Sequence, residues 1–133
     1  MTRFVIDPPT LVRLVAQSVT LPASHHLVAP NSLRTHALEI LLTQVRDGAL
    51  DERDALILHE RMTALKVRLF GDRVSRRTAW DLAFAHGWDD LVDAEYVAVT
   101  QLQADKLVAG DARLAKRAAG FVIVASFDEL TLP

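Results

Sequence analysis

The chain has 133 residues, half of them hydrophobic, a formal net charge of −2 and no cysteine. Such a length fits one domain over residues 1–133 with a real core, and such an apolar content argues against disorder. The cysteine count excludes disulfides and thiolate metal sites, and the charge argues against one dominant basic surface while leaving local RNA-binding patches open. No apolar run nears the roughly 18 residues needed to cross a bilayer. The opening MTRFVIDPPT has too short an apolar run for a signal peptide, so the expected location is cytoplasmic. No repeat, low-complexity tract or dividing linker is evident.

In chain order, Arg3 to Ile6 is a brief apolar run stopped by Asp7-Pro8-Pro9, which reads as a buried strand. Proline suits the first turn of a helix, and Asp7 can cap one that carries Leu11, Leu14 and Val15 at helical spacing. Leu21 to His26 is a polar connection, with His25-His26 on a loop surface. Leu27-Val28-Ala29 before Pro30 is a second strand. Leu33, Ala37, Leu38, Leu41, Leu42 and Val45 mark an amphipathic helix, capped by Asn31 or Ser32 and ended by Gly48. Asp51 starts another helix, with Glu52 and Asp54 in its first turn. Lys66 to Phe70 is an edge strand or connector, Asp72 to His86 a helix with Gly87 as its stop, and a further helix runs from about Leu91. Leu107-Val108-Ala109 is a strand and Ala112 to Ala118 a short helix. Phe121 to Val124 has the strongest β-propensity in the chain, and Ser126 to Leu130 closes with a turn of helix.

Short apolar strands alternating with helices predict an α/β fold: a short parallel sheet covered by helices on both faces. Ligands of such sheets bind beyond the carboxyl ends of the strands, near a switch in strand order. Asp7 and Asp111 each follow a strand directly and are expected on that edge.

At these residues the chain resembles the PIN-domain family, and specifically the VapC-type toxins of bacterial toxin–antitoxin pairs. The resemblance runs from FVID to FVIVASFDEL and is strongest over VDAEYVAVTQLQADKLVAGDARLA. Family members have an Asp-Ala pair opening an Ala- and Leu-rich helix, then a short strand followed by Asp; here these are Asp93-Ala94 and Asp111. The first family acid corresponds to Asp7. The resemblance implies a three-layer α/β/α PIN-like fold and a metal-dependent ribonuclease silenced by a cognate antitoxin, in a homodimer. Two positions depart from the family. Where it usually has Glu on the second helix this chain has His36, with Glu39 one turn on. Where Ser or Thr often flanks the acids it has Pro8 and Ala109-Gly110, leaving Thr10 as the nearest hydroxyl to Asp7.

The expected chemistry follows from the acids themselves. Crowded carboxylates repel, so some stay protonated or they gather a cation. Carboxylate oxygens and water suit Mg²⁺ or Mn²⁺. Such an ion lowers the pKa of bound water and orients a phosphodiester for in-line attack. Asp7, Asp93 and Asp111 are the expected ligands, direct or through water, with Glu39 a ligand or the group that positions water. Arg113, Lys116 and Arg117, on the short helix after Asp111, and Thr10 are candidate substrate contacts, with Arg113 the foremost, because phosphate contacts supply much of the affinity for nucleic acids. Arg73, Arg76 and Arg77 form a second basic group. His36 and Asp90 are candidates for the edge of the site, and one of Asp89 and Asp90 caps the helix. Trp88 and Tyr96 read as core packing ahead of base stacking. A weakened PIN domain that binds RNA or antitoxin without cutting is the alternative. A receiver-type phosphotransfer domain fits poorly, since no Lys follows Phe121–Val124.

Overall fold

The computed structural model describes residues 1–133. Five strands form one parallel sheet in the order β3-β2-β1-β4-β5: β1 Thr2–Ile6, β2 His25–Pro30, β3 Arg68–Phe70, β4 Lys106–Val108 and β5 Val124–Ala125. Phe4, Val5 and Ile6 are all buried, as a central strand covered on both faces requires. Seven helices complete the chain: α1 Pro8–Ala16, α2 Leu33–Arg46, α3 Glu52–Ala64, α4 Arg73–His86, α5 Val92–Gln103, α6 Ala112–Ala118 and α7 Phe127–Thr131. No helix is long and apolar enough to cross a membrane.

Helices α1, α2 and α3 pack on one another as one layer. On the other side α5 lies on β1, β2 and β4, and α4 lies on α5. This sandwich explains why α5 is buried nearly all round, from Asp93 to Thr100 apart from the half-buried Glu95. The α4–α5 contact is built from Ala79, Ala83, Ala94 and Ala98, whose small side chains let the two backbones approach closely. The residues named for the second strand and helix, Leu27, Val28, Ala29, Leu33, Ala37 and Leu41, join Leu11, Leu14 and Leu107 in the main core.

The chain steps outward from β1 to β2 to β3, then returns to the other side of β1 to lay down β4. The switch in strand order therefore falls between β1 and β4, whose carboxyl ends carry Asp7 and lead to Asp111. Loops diverge at such a point and leave a crevice.

Two elements differ from the expectation. The last strand is not Phe121–Val124; only Val124 and Ala125 pair with β4. The amides of Phe121 and Val122 instead bond the Ala118 carbonyl, closing the turn after α6, while β4 is only three residues long and offers little ladder. Propensity cannot extend a strand that has no partner. At the other end of the sheet, β2 begins at His25, because Thr2 and Arg3 of β1 pair with His25 and His26. His25 is thus a strand residue, its ring tilted against Phe4 and its Nδ1 2.8 Å from the Leu130 carbonyl.

Candidate active site

Asp7 ends β1 and is the N-cap of α1. Its carboxylate does more than cap. Oδ1 accepts from the Thr10 amide (3.1 Å), the Thr10 hydroxyl (2.5 Å) and the Gly110 amide (2.9 Å), and Oδ2 accepts from the Asp111 amide (3.0 Å). The single Thr10 proton is shared between Asp7 and the Val108 carbonyl, 3.1 Å away. One side chain thereby ties the β1–α1 junction to the β4–α6 turn across the switch point. The turn comes this close because residue 110 is glycine: a Cβ there would sit 2.9 Å from the Cβ of Pro9. Asp7 is fully buried, and Oδ2, with one bond, keeps acceptor capacity.

Asp93 lies in the first turn of α5, where the helix dipole favours an acid. Its side chain is only 5% exposed, and Oδ2 meets Arg117 Nη1 at 2.9 Å and Arg113 Nε at 3.1 Å. The Arg117 guanidinium also lies over the Trp88 ring, 5.4 Å from its centroid. Asp111 caps α6, its Oδ1 accepting from the Arg113 amide at 2.8 Å. Arginines 113 and 117 stand four apart on α6 and so share a face.

Asp7, Asp93, Asp111 and Arg113 border one cavity of about 280 Å³ at the carboxyl edge of the sheet, which His36 and Tyr96 also line. Tyr96, one turn beyond Asp93, is buried and its hydroxyl has no protein partner. Burial above all, and then the carboxylates of Asp7, Glu95 and Asp93, push its ionisation far above the usual phenol range. It stays a neutral donor at any physiological pH.

Other candidates lie elsewhere. Glu39 is exposed and borders an apolar groove between α2 and α3 with Leu42 and Leu56. Ile40 takes its place in the acid cavity. From His36, Glu39 is turned roughly 60° one way and Ile40 roughly 40° the other, and the cavity lies on the Ile40 side. Thr10 is buried beneath Asp7, so it supports the acid instead of meeting a substrate. Lys116 is exposed and forms no ion pair, and the cation that reaches Asp93 beside Arg113 is Arg117. Asp90 accepts from the Val92 amide and borders a separate hollow with Trp80 and Phe84. Trp88 packs on His86 and Phe121. A larger cavity, about 540 Å³, lies at the opposite edge of the sheet among Arg3, His25, His26, Lys66 and Arg68, and no acid lines it.

The donor set tests what the cavity can hold. Its oxygens are hard ligands of the kind Mg²⁺ and Mn²⁺ prefer. No three acidic or histidine side chains converge tightly enough to form a ligand cage by themselves. Two guanidinium groups meanwhile meet Oδ2 of Asp93 and offset its charge. The residues therefore fit an ion that keeps much of its water shell, as Mg²⁺ commonly does, and not a dehydrated ion in an all-carboxylate shell.

No protein-family model matches the chain, and no curated protein matches it in sequence. Solved structures do match in fold. PAE2754 from Pyrobaculum aerophilum is similar over 98% of this chain and 93% of its own, with a TM-score of 0.74 and 20% identity. The Mycobacterium tuberculosis VapC20 structure, described as that of a sarcin–ricin loop cleaving toxin, is similar over 90% of this chain and 96% of its own, with a TM-score of 0.60 and 18% identity. At such identities the likeness speaks for architecture: the chain has the three-layer α/β/α PIN-like fold.

Proposed function

We propose that this PIN-like chain is a metal-dependent endoribonuclease, the toxin of a toxin–antitoxin pair, that hydrolyses RNA at the cavity shared by Asp7, Asp93 and Asp111. The observation that carries the reading is the meeting of three acids, from β1, α5 and the β4–α6 turn, at the point where strand order switches. Fold likeness to a toxin that cleaves the sarcin–ricin loop supports RNA as the substrate class.

In this reading Asp7, Asp93 and Asp111 would hold a hydrated Mg²⁺ or Mn²⁺, directly or through water. The ion, when bound, supplies activated water and stabilises the charge that develops on the phosphate. Asp7 keeps the two loops in register, because four donors fix its carboxylate. Arg113, more than half exposed, turns from Asp93 to a phosphate of the incoming strand. Arg117, more buried and held on Trp88, stays to orient Asp93. The chain acts in the cytoplasm as a homodimer, and its cognate antitoxin restrains it.

A second reading has its own observation. The two arginines already satisfy Asp93, and His36 stands where a further carboxylate is expected. A site so neutralised suits a weakened PIN domain that binds RNA or antitoxin without cutting. Hydrolysis of single-stranded RNA with Mg²⁺ or Mn²⁺, compared among the wild type, Asp7→Asn and Asp93→Asn, tests the first reading, which expects cleavage by the wild type alone. Equal activity in all three removes it. Calorimetry with Mn²⁺ separates the two, since a remnant site binds the ion poorly.

A further inference from the structure

Tyr96 is the single tyrosine of the chain, and its Oη is the one buried side-chain polar atom without a protein hydrogen-bond partner. Buried polar groups are nearly always paired, so an orphan in a native core calls for a specific cause. Packing alone does not supply one. A phenylalanine would fill the same space without burying a hydroxyl.

The position of the orphan is informative. Tyr96 follows Asp93 by one turn of α5 and borders the same cavity as Asp7, Asp93 and Asp111. The nearby carboxylates are turned to other donors. Asp7 Oδ1 takes three hydrogen bonds, and Asp93 Oδ2 takes Arg113 and Arg117. Asp7 Oδ2, with a single bond, and Asp93 Oδ1, with none, remain as acceptors. The site thus combines one donor in want of an acceptor with two acceptors in want of donors. A water molecule completes that set: it accepts one hydrogen bond and donates two, within the two to four partners that hold buried waters.

We propose that the Tyr96 hydroxyl is a positioning donor of this site, fixing the water through which Asp7 and Asp93 grip a hydrated divalent cation. The inference rests on the reading of the cavity as a cation site and adds a residue to it. Tyr96 itself touches no ion; it acts through the water.

The test is calorimetric titration of Mn²⁺ into the full chain and into Tyr96→Phe, alongside thermal melts without added metal. The expected result is a melting temperature for Tyr96→Phe equal to or above that of the wild type, with Mn²⁺ affinity lower by roughly 10- to 100-fold, the usual effect of removing an outer-shell partner. Equal Mn²⁺ affinity overturns the inference. So does a lower melting temperature with unchanged affinity, which would give the hydroxyl a structural partner. If Tyr96→Phe does not fold, wild-type protein labelled with ¹³Cζ-tyrosine decides, since it gives one tyrosine signal. That signal is expected to move on saturation with Mg²⁺, and a fixed signal while calorimetry registers binding overturns the inference. A wild type that takes up neither ion sinks the cation-site reading and this inference together. Binding by the wild type with equal binding by Tyr96→Phe sinks this inference alone.

Discussion

Replacing Asp7 with alanine measures how much of the fold hangs on one carboxylate. If Asp7 were only the N-cap of α1, the substitution would cost about 1 kcal/mol. The structure gives it more to do. Removing the carboxylate strands three backbone donors, the amides of Thr10, Gly110 and Asp111, while the Thr10 hydroxyl retains the Val108 carbonyl. An unsatisfied buried donor costs about 1–3 kcal/mol. Two of the three are only partly buried and count at the low end, so Asp7→Ala should lose about 3–5 kcal/mol. That is a large share of the roughly 5–15 kcal/mol that holds a domain together. Equilibrium urea unfolding measures it. Asp51→Ala is the control, because Asp51 occupies the N-cap of α3 without making a side-chain bond and should change little. A loss for Asp7→Ala of about 1 kcal/mol or less would refute the reasoning and return Asp7 to a plain helix cap.

Gly110→Ala should lower the thermal melting point, at a cost of about 1–3 kcal/mol, because the new methyl meets the rigid Pro9 ring. Glu39→Gln should leave RNA cleavage and thermal stability unchanged, within about 0.5 kcal/mol for the latter, since this exposed residue borders another groove; a large loss of cleavage would restore it to the site. The hydroxyl of Ser75, followed by its amide, holds the Asp72 carboxyl below its ordinary value of 3.8. A folded pKa below the unfolded one means that the interaction is intact above 3.8 and is lost as pH falls through the lower folded value. The first turn of α4 should therefore fray in acid, seen as faster Ser75 amide exchange. Asp72→Ala should show much of that exchange already at neutral pH, and identical profiles for the two proteins would count against the cap.

The layout of the fold was legible because it depends on local periodicity and punctuation. The Asp7-Pro8-Pro9 stop, the helical stripe from Leu33 to Val45 and the Asp72 and Gly87 bounds of α4 all act within a few residues of themselves. Gly87 takes the left-handed conformation, φ 66°, that such a stop requires. Phe121–Val124 misled because strand length is set by the partner, and β4 is short. Asp7 and Asp111 could be placed on one edge from sequence, since each directly follows a strand of a parallel sheet, and Asp93 joined them through the resemblance to the PIN-domain family. Their neighbours were harder. Whether His36 brings Glu39 or Ile40 with it depends on a rotation of α2 that periodicity does not resolve. Arg117 was legible as one of three cations on α6, but not its pairing with Asp93; Tyr96 carried a usable signal at i+3 from Asp93, which points to the cavity only once Asp93 is known to border it.

Asp111→Asn offers the most direct test of the central claim. The side chain is half buried, and its one bond, to the Arg113 amide, can be kept by an asparagine oxygen, so the fold should survive. Cleavage of single-stranded RNA should be followed for this variant and the wild type with Mg²⁺ or Mn²⁺, at matched melting temperatures. The proposed metal site requires a Mg²⁺- or Mn²⁺-dependent cut by the wild type that falls roughly 10- to 100-fold in the variant. Equal cleavage by the two proteins, or cleavage indifferent to the ion, would contradict it.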